Sequence, residues 1–593
     1  MIQHWNLSNF KSVSQASLPL APLTMFAGAN SSGKSSLLQS ILLIAQTLSA
    51  RAGIQPIILN GHLVKLGQLD DLRNSITDEK RITLGWTITP DVPEDRPMKG
   101  RLGHLRTFFD SVSCEVIVGL SQPESASEQL NPTLFEMKKS SQVREPLDQT
   151  IAQSQVRLVR KKSADHDTQS RDSARKRNRF TFDYQVELDD ESAADLKDDF
   201  LRGEPFGCNL GTFLPSSLLV RFDEKAEIIR AIVGALTRTP RHRYERDPSG
   251  QNAQLDLTKV IELVAMVPEL QSVLDGIDAS FGESIALSEL LDRLRRARLN
   301  LSSGVVSQVE AAAYKLFKDE RGFTLTPLPG RSLDAAADST REFFSNQVKY
   351  LGPLREEPKA IYPIQNTSDP QDVGLHGEHT AAVLHRNRYV EVQYLPTANF
   401  SDKSTSTEIK RVALEDAVFD WLEYLDVAKK VDTSDEGKFG YSLKVVMTGG
   451  SESHDLTHVG VGVSQVLPIV VMCLLAGRNT TVIIEQPELH LNPKVQTRLA
   501  DFFLSMSMLQ KQCLIETHSE YLINRLRLRS ALAEGTTVSS LLKLYFVEKA
   551  GGFTTYRDVK VNEYGTILDW PKGFFDQNQR EVEAIILAAS VKG

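Results

Sequence analysis

The stretch Gly28-Ala29-Asn30-Ser31-Ser32-Gly33-Lys34-Ser35 constrains this chain more than any other. Glycine, four residues, glycine, lysine and serine stand in the order of a phosphate-binding loop. The setting also fits. Residues 23–27 are a short apolar run ending at Gly28, and residues 36–48 read as a helix. Glycines let the backbone fold tightly, so that its N–H groups converge on phosphate oxygens. The helix N-terminus adds partial positive charge. The pattern assigns Gly28, Asn30, Ser31, Ser32, Gly33 and Ser36 to the phosphate cradle, Lys34 to the β and γ phosphates, and Ser35 to Mg²⁺.

The chain has 593 residues, enough for several domains at roughly 150 residues each. Its net charge is −8, so any nucleic-acid contact must use a local patch. Cys114, Cys208, Cys473 and Cys513 are scattered, with no Cys-x-x-Cys. That argues against a structural zinc site or a disulfide framework and fits a reducing cytosol. Residues 1–16 are polar and mixed, so no signal peptide is expected. No apolar stretch reaches the ~20 residues of a membrane span; the longest, residues 466–476, reads as a buried helix. A cytoplasmic protein without a membrane partner is expected.

Along the chain, residues 2–10, 82–89 and 114–119 read as strands. Residues 156–179 carry nine basic side chains, from Arg157 to Arg179. They form either a patch for DNA, RNA or another anionic partner or a solvated connector. Residues 228–236, 258–274, 285–299 and 305–318 have apolar positions three or four apart and predict helices, interrupted by a basic loop at 238–246. These helices are too short for a long coiled coil.

Asn9-Phe10-Lys11-Ser12 ahead of the phosphate loop resembles the opening of ABC-type ATPases of the RecF, SMC and OLD group. The resemblance implies that ATP is the nucleotide and that Lys11 and Ser12 lie beside it. It further implies that Gln68, in the segment 61–74, touches Mg²⁺ or its water. Residues 457–469 resemble the signature segment of these ATPases, with Gly460, Gly462, Ser464 and Gln465 opening a helix. In that group the segment meets the γ-phosphate held by the other subunit, which implies a head-to-tail homodimer or a higher homo-oligomer with composite sites. Residues 481–485 form an apolar strand ending in Glu485, in the Walker B pattern, and Glu485 stands at the position of the Mg²⁺-binding acid. Gln486 stands where relatives carry the catalytic glutamate. An amide cannot accept a proton from water as a carboxylate does. Either Glu488 is the base, or turnover is slow and ATP holds a lasting closed state. His518, after a strand over 512–517, resembles the switch histidine that reaches the γ-phosphate or the attacking water.

Residues 348–363 and 372–384, with Arg355 and Glu378, and the ending Trp570-Pro571-Lys572-Gly573-Phe574-Phe575-Asp576 resemble segments of a bacterial ATPase subfamily. Relatives of this layout act in Septu-type and retron-associated anti-phage systems beside a separate nuclease. The resemblance implies an ATP-hydrolysing dimeric switch controlling a nuclease in trans, HNH-type or other. The alternative is a RecF- or SMC-like DNA-binding ATPase of repair or recombination. OLD relatives carry a Toprim nuclease near the C-terminus; residues 518–593 hold no Asp-x-Asp after the hairpin expected over 541–559, so no nuclease is expected here. The expected fold is α/β, an ABC/SMC-type phosphate-loop core with a large, mainly helical insertion. Its parts are residues 1–120 and 346–540 as the two halves of the core, 121–345 as connector and insertion, and 541–593 as a small C-terminal hairpin and helix region.

Overall fold

The computed structural model describes residues 1–50, 56–90, 109–120, 132–144, 151–160, 184–188, 204–236, 254–274, 284–296, 302–316, 323–328, 331–363, 369–400, 408–533, 535–568, 571 and 577–592. The chain divides into two compact units, one of residues 1–152 and 335–593, the other of residues 153–334.

The first unit is built on a six-stranded sheet. Its order is Val348–Leu351, Thr481–Glu485, Gln512–Thr517, Leu23–Gly28, Leu542–Ala550 and Phe553–Asp558. The first five strands run parallel and the last antiparallel. The three central strands read as near-continuous apolar runs because helices cover both faces of a parallel sheet. Leu23, Met25, Phe26, Ala27, Ile483, Ile484, Leu514 and Ile515 are fully buried. The strand Leu23–Gly28 feeds the helix Lys34–Ser49, so the octapeptide lies at the carboxyl end of a central strand, where α/β sheets bind their ligands.

The helices start where local chemistry lets them. Asn492 caps Pro493–Met508, accepting from Val495 N–H at 3.0 Å, with Pro493 in the first turn where no N–H is needed. Ser519 caps Glu520–Leu532 through Leu522 N–H. The apolar stretch at 466–476 forms most of the buried helix Gly462–Leu475. A second, antiparallel sheet takes Val13–Pro19, Ile2–Phe10, Ile82–Ile88, Phe109–Leu120 and Pro132–Arg144. Trp5 fixes it to the phosphate-loop helix. Its indole stacks on Trp86 at 5.8 Å and donates to Ser40 Oγ at 2.9 Å, both rings buried.

The hairpin expected over 541–559 is present, and it is part of the core sheet rather than a separate region. Its first strand pairs with the phosphate-loop strand, Val547 opposite Gly28. The C-terminal helix Gln577–Lys592 follows. Of residues 570–576 only Pro571 is described, so the ending noted above lies outside the described residues.

In the second unit, Ile151–Arg160 pairs with Tyr184–Leu188, and Phe323–Leu328, Leu214–Asp223 and Glu204–Gly211 form a three-stranded sheet. Glu224–Leu236, Leu257–Met266, Leu287–Arg296 and Ser303–Leu316 are α-helical around their own apolar core. Pro268 ends the second of these predicted helices early, and a 3₁₀ turn continues to Leu274. The basic run beyond Arg160 and the basic loop at 238–246 lie outside the described residues. No described helix is long and apolar enough to cross a membrane.

Candidate active site

An open cavity of about 590 Å³ lies over the phosphate loop. It is lined by Lys11, Ser12, Asn30, Ser31, Gly33, Lys34, Ser35, Ser36, Gln39, Gln486, Glu516, His518 and Lys549. Gln486, Glu516, His518, Lys549 and the loop residues converge because the strands that carry or precede them are neighbours in the six-stranded sheet, while Lys11 and Ser12 come from the turn between two strands of the antiparallel sheet.

The loop is held by its glycines. At Gly33 φ is +102°, and a Cβ there would lie 2.2 Å from Thr554 Oγ1; at Gly28 it would lie 2.1 Å from the Val547 carbonyl. No other residue fits either place. Lys34 Nζ donates to the carbonyls of Gly28 at 3.1 Å and Ala29 at 2.7 Å, curled over the loop it would leave to meet a phosphate. Burial lowers its pKa, while Glu516 and Glu488 act the other way. Ser32 is buried and Ser31 has φ +60°. Lys11, also at positive φ, donates to Gln39 Oε1 at 2.5 Å, and burial lowers its pKa too.

Glu485 ends its strand, buried and outside the cavity lining. Its Oε1 accepts from Tyr350 at 2.9 Å, and its carbonyl accepts from both terminal nitrogens of Arg355 at 3.2 Å. The unassigned segment around Arg355 thus braces the Walker B strand. Burial holds Arg355 at about 10, below its ordinary value, and raises Glu485. Glu378 accepts from His376 N–H, outside the cavity lining. Gln486 has φ +46°, uncommon for a side-chain-bearing residue and often seen at functional turns. Its N–H donates to the Glu516 carbonyl at 2.8 Å, and the residue lines the cavity. Glu488 does not line it; Oε1 accepts from His518 N–H at 2.5 Å. Burial raises Glu488 and lowers His518, so His518 favours the neutral ring.

A family profile described as AAA ATPase domain matches residues 1–198 and 396–523, more than half of the chain. The chain belongs to the AAA ATPase domain family. The activity of this AAA ATPase is ATP hydrolysis, and its core is the α/β phosphate-loop fold. A second profile, described as a protein of unknown function (DUF3696), matches residues 539–585 of this AAA ATPase. The comparison with curated proteins finds no match. Among solved structures, the AAA ATPase is similar to an SmcHead bound to the C-winged helix domain of ScpA, at 11% identity and TM-score 0.35, over 94% of this chain and 98% of that one. It is similar to an Smc head domain with an extended coiled coil from Pyrococcus furiosus, at 11% identity and TM-score 0.30, over 98% and 99%. It is also similar to the SMC head domain from Thermotoga maritima, at 9% and 0.29, over 94% and 99%. At such scores the likeness carries no argument.

Ten of the residues singled out in the sequence line the AAA ATPase cavity, and others do not. Gly28, Ser32, Glu485 and Glu488 are not in the lining. Gln68 is not in the lining: it is exposed and opens the short helix Leu69–Leu72, its backbone carbonyl accepting from Asp71 N–H at 3.1 Å while its own N–H donates to Asp71 Oδ2 at 2.7 Å. Gly462, Ser464 and Gln465 begin the helix Gly462–Leu475 and are absent from the lining too. Sequence reasoning missed Gln39, Glu516 and Lys549. Gln39 is four residues after Ser35, on the same helical face, and Glu516 is two before His518, the period of a strand face; both signals were local. Lys549 had none, because only the long-range pairing of its strand brings it there.

The AAA ATPase site fits a divalent cation. Glu485 and Glu516 are register partners on neighbouring parallel strands, buried to 7% and 3% exposure. Among the described residues neither carboxylate has a side-chain cation bonded to it. Glu516 accepts from Ser35 Oγ at 2.8 Å, and burial, then the Glu485 charge, raises it to about 7. No group of three or more His, Cys, Asp or Glu is arranged to hold a metal among the described residues. A cation here would therefore draw ligands from phosphate and water, as Mg²⁺ commonly does.

Proposed function

We propose that this ATPase is a slow, ATP-driven dimeric switch. Two copies close head to tail on ATP and Mg²⁺, and the closed pair controls a separate nuclease, HNH-type or other, in bacterial anti-phage defence in the cytoplasm. The observation that carries this reading is the division of the site. Lys34, Gln486 and His518 line one cavity, while Gly462, Ser464 and Gln465 are not part of its lining. On this reading the start of the signature helix, with Val461 exposed and Ser464 and Gln465 buried behind it, meets the cavity of another copy. Gln486 occupies the base position with an amide, and Glu488 is bonded to His518 N–H beyond the lining. Binding therefore outlasts chemistry, and ligand energy is used to favour the closed state.

Within the site, Lys34 would leave the Gly28 and Ala29 carbonyls for the β and γ phosphates, Ser35 and a neighbouring carboxylate would hold the cation, and neutral His518 would hydrogen-bond the γ-phosphate. Bound Mg²⁺ would withdraw charge from the phosphate oxygens. The role in defence is supported by the segments around Arg355, Glu378 and Trp570 that resemble the anti-phage subfamily. Light scattering after gel filtration tests the switch: a dimer with ATP and Mg²⁺, and a monomer for Lys34→Ala under the same conditions. A wild-type protein monomeric in saturating ATP overturns it. Expression with neighbouring genes tests the role: a nuclease should co-purify, and its cutting should change with the nucleotide.

A further inference from the structure

Resting on the ATP reading above, we infer that Glu516 is the carboxylate that joins Ser35 in holding the cation of ATP, with Glu485 outside the inner ligand shell.

Three observations carry this. The first is placement. Glu516 lines the cavity and Glu485 does not. Glu485 is held by the Tyr350 hydroxyl on its Oε1 and by Arg355 on its carbonyl. The second is spacing. Adjacent ligands of an octahedral Mg²⁺ at 2.0–2.1 Å stand about 2.9 Å apart. Ser35 Oγ and Glu516 Oε2 are 2.8 Å apart, so the two oxygens already have the separation of neighbouring ligands. Cation binding needs only that the serine hydroxyl turn its hydrogen elsewhere. The third is the open ligand position. Gln68 is exposed, outside the lining, and used as a helix cap.

Charge points the same way. Two like charges on adjacent strands, both withdrawn from water, are unfavourable until a cation stands beside them. Lys34 is engaged with loop carbonyls and is committed to phosphate when ATP binds.

The test is binding of a fluorescent ATP analogue to the full chain, in EDTA and across a Mg²⁺ titration. Glu516→Gln should raise the Mg²⁺ concentration giving the half-maximal effect about tenfold or more, the size typical of an altered metal-site group. Its affinity for the analogue in EDTA should equal or exceed the wild type's, since one negative charge beside the triphosphate is gone. Its melting temperature in EDTA should not fall. A smaller rise in the Mg²⁺ midpoint overturns the inference, as does an equal rise in Glu485→Gln. If Glu516→Gln does not fold, Glu516→Asp takes its place: the shortened carboxylate should raise the midpoint, and an unchanged midpoint overturns the inference. A wild type that binds no analogue at any Mg²⁺ concentration strikes the ATP reading itself.

Discussion

On the proposed reading, Gln486 separates binding from chemistry. A carboxylate at its position would take a proton from attacking water, and general-base catalysis contributes ~10²–10⁴-fold. Gln486→Glu should therefore raise steady-state turnover about tenfold or more, measured as phosphate release at saturating ATP. Brisk wild-type turnover that survives Glu488→Ala would overturn both slow hydrolysis and Glu488 as the base. Glu516 gives a pH signature. Its pKa in the fold is raised to about 7, so the folded state favours its protonated form. The stability it contributes is fully present below the ordinary glutamate range and is lost as pH rises through about 7. In EDTA without nucleotide, the wild-type melting temperature should fall between about pH 5 and 7. Glu516→Gln should flatten that fall; an equal slope in both proteins would count against it. At this scale much of the site was legible, since Gly33, Lys34, Ser35 and His518 sit in short motifs. Gln68 misled because a glutamine on a loop says nothing of its direction, and its backbone opens a short helix, bonded to Asp71.

The phosphate loop is supported by the second strand of the C-terminal hairpin. Thr554 N–H donates to the Ser12 carbonyl at 2.8 Å, Thr554 Oγ1 donates to the Ser32 carbonyl at 2.7 Å, and Tyr556 donates to the Gly33 carbonyl at 3.0 Å. Thr554→Val keeps the shape and loses the hydroxyl. A buried hydrogen bond contributes about 1 kcal/mol, so ATP affinity should weaken by roughly fivefold with little change in melting temperature. An unchanged affinity would show that the loop holds its shape alone. The hairpin itself was readable, as two β-rich runs around Gly551-Gly552. Its place beside Leu23–Gly28 was not, because parallel pairing between distant segments leaves no local trace. Prolines explain the other differences: Pro268 shortened a helix that periodicity extended to Leu274, whereas Pro468 is carried inside the buried helix Gly462–Leu475.

At the scale of the whole molecule, the first unit is made from two separate stretches of sequence, residues 1–152 and 335–593, and the second from the residues between them, 153–334. Periodicity placed helices in the insertion at 228–236 and 305–318, but it could not show that strands such as Glu204–Gly211 and Leu214–Asp223 precede them. The strand Leu23–Gly28 lies between Gln512–Thr517 and Leu542–Ala550, so its neighbours are made about 500 residues after it. At a ribosomal pace of ~5–20 residues per second, the loop waits on the order of half a minute to two minutes before its flanks exist. Until then a nascent chain holds the octapeptide without the groups that shape it, and it should pass translation blind to the ATP around it. Chains arrested on ribosomes before Leu542 should show no retention on immobilised ATP, whereas released full-length chains should be retained. On that expectation, nucleotide capture would wait until the last strand of the pair arrives.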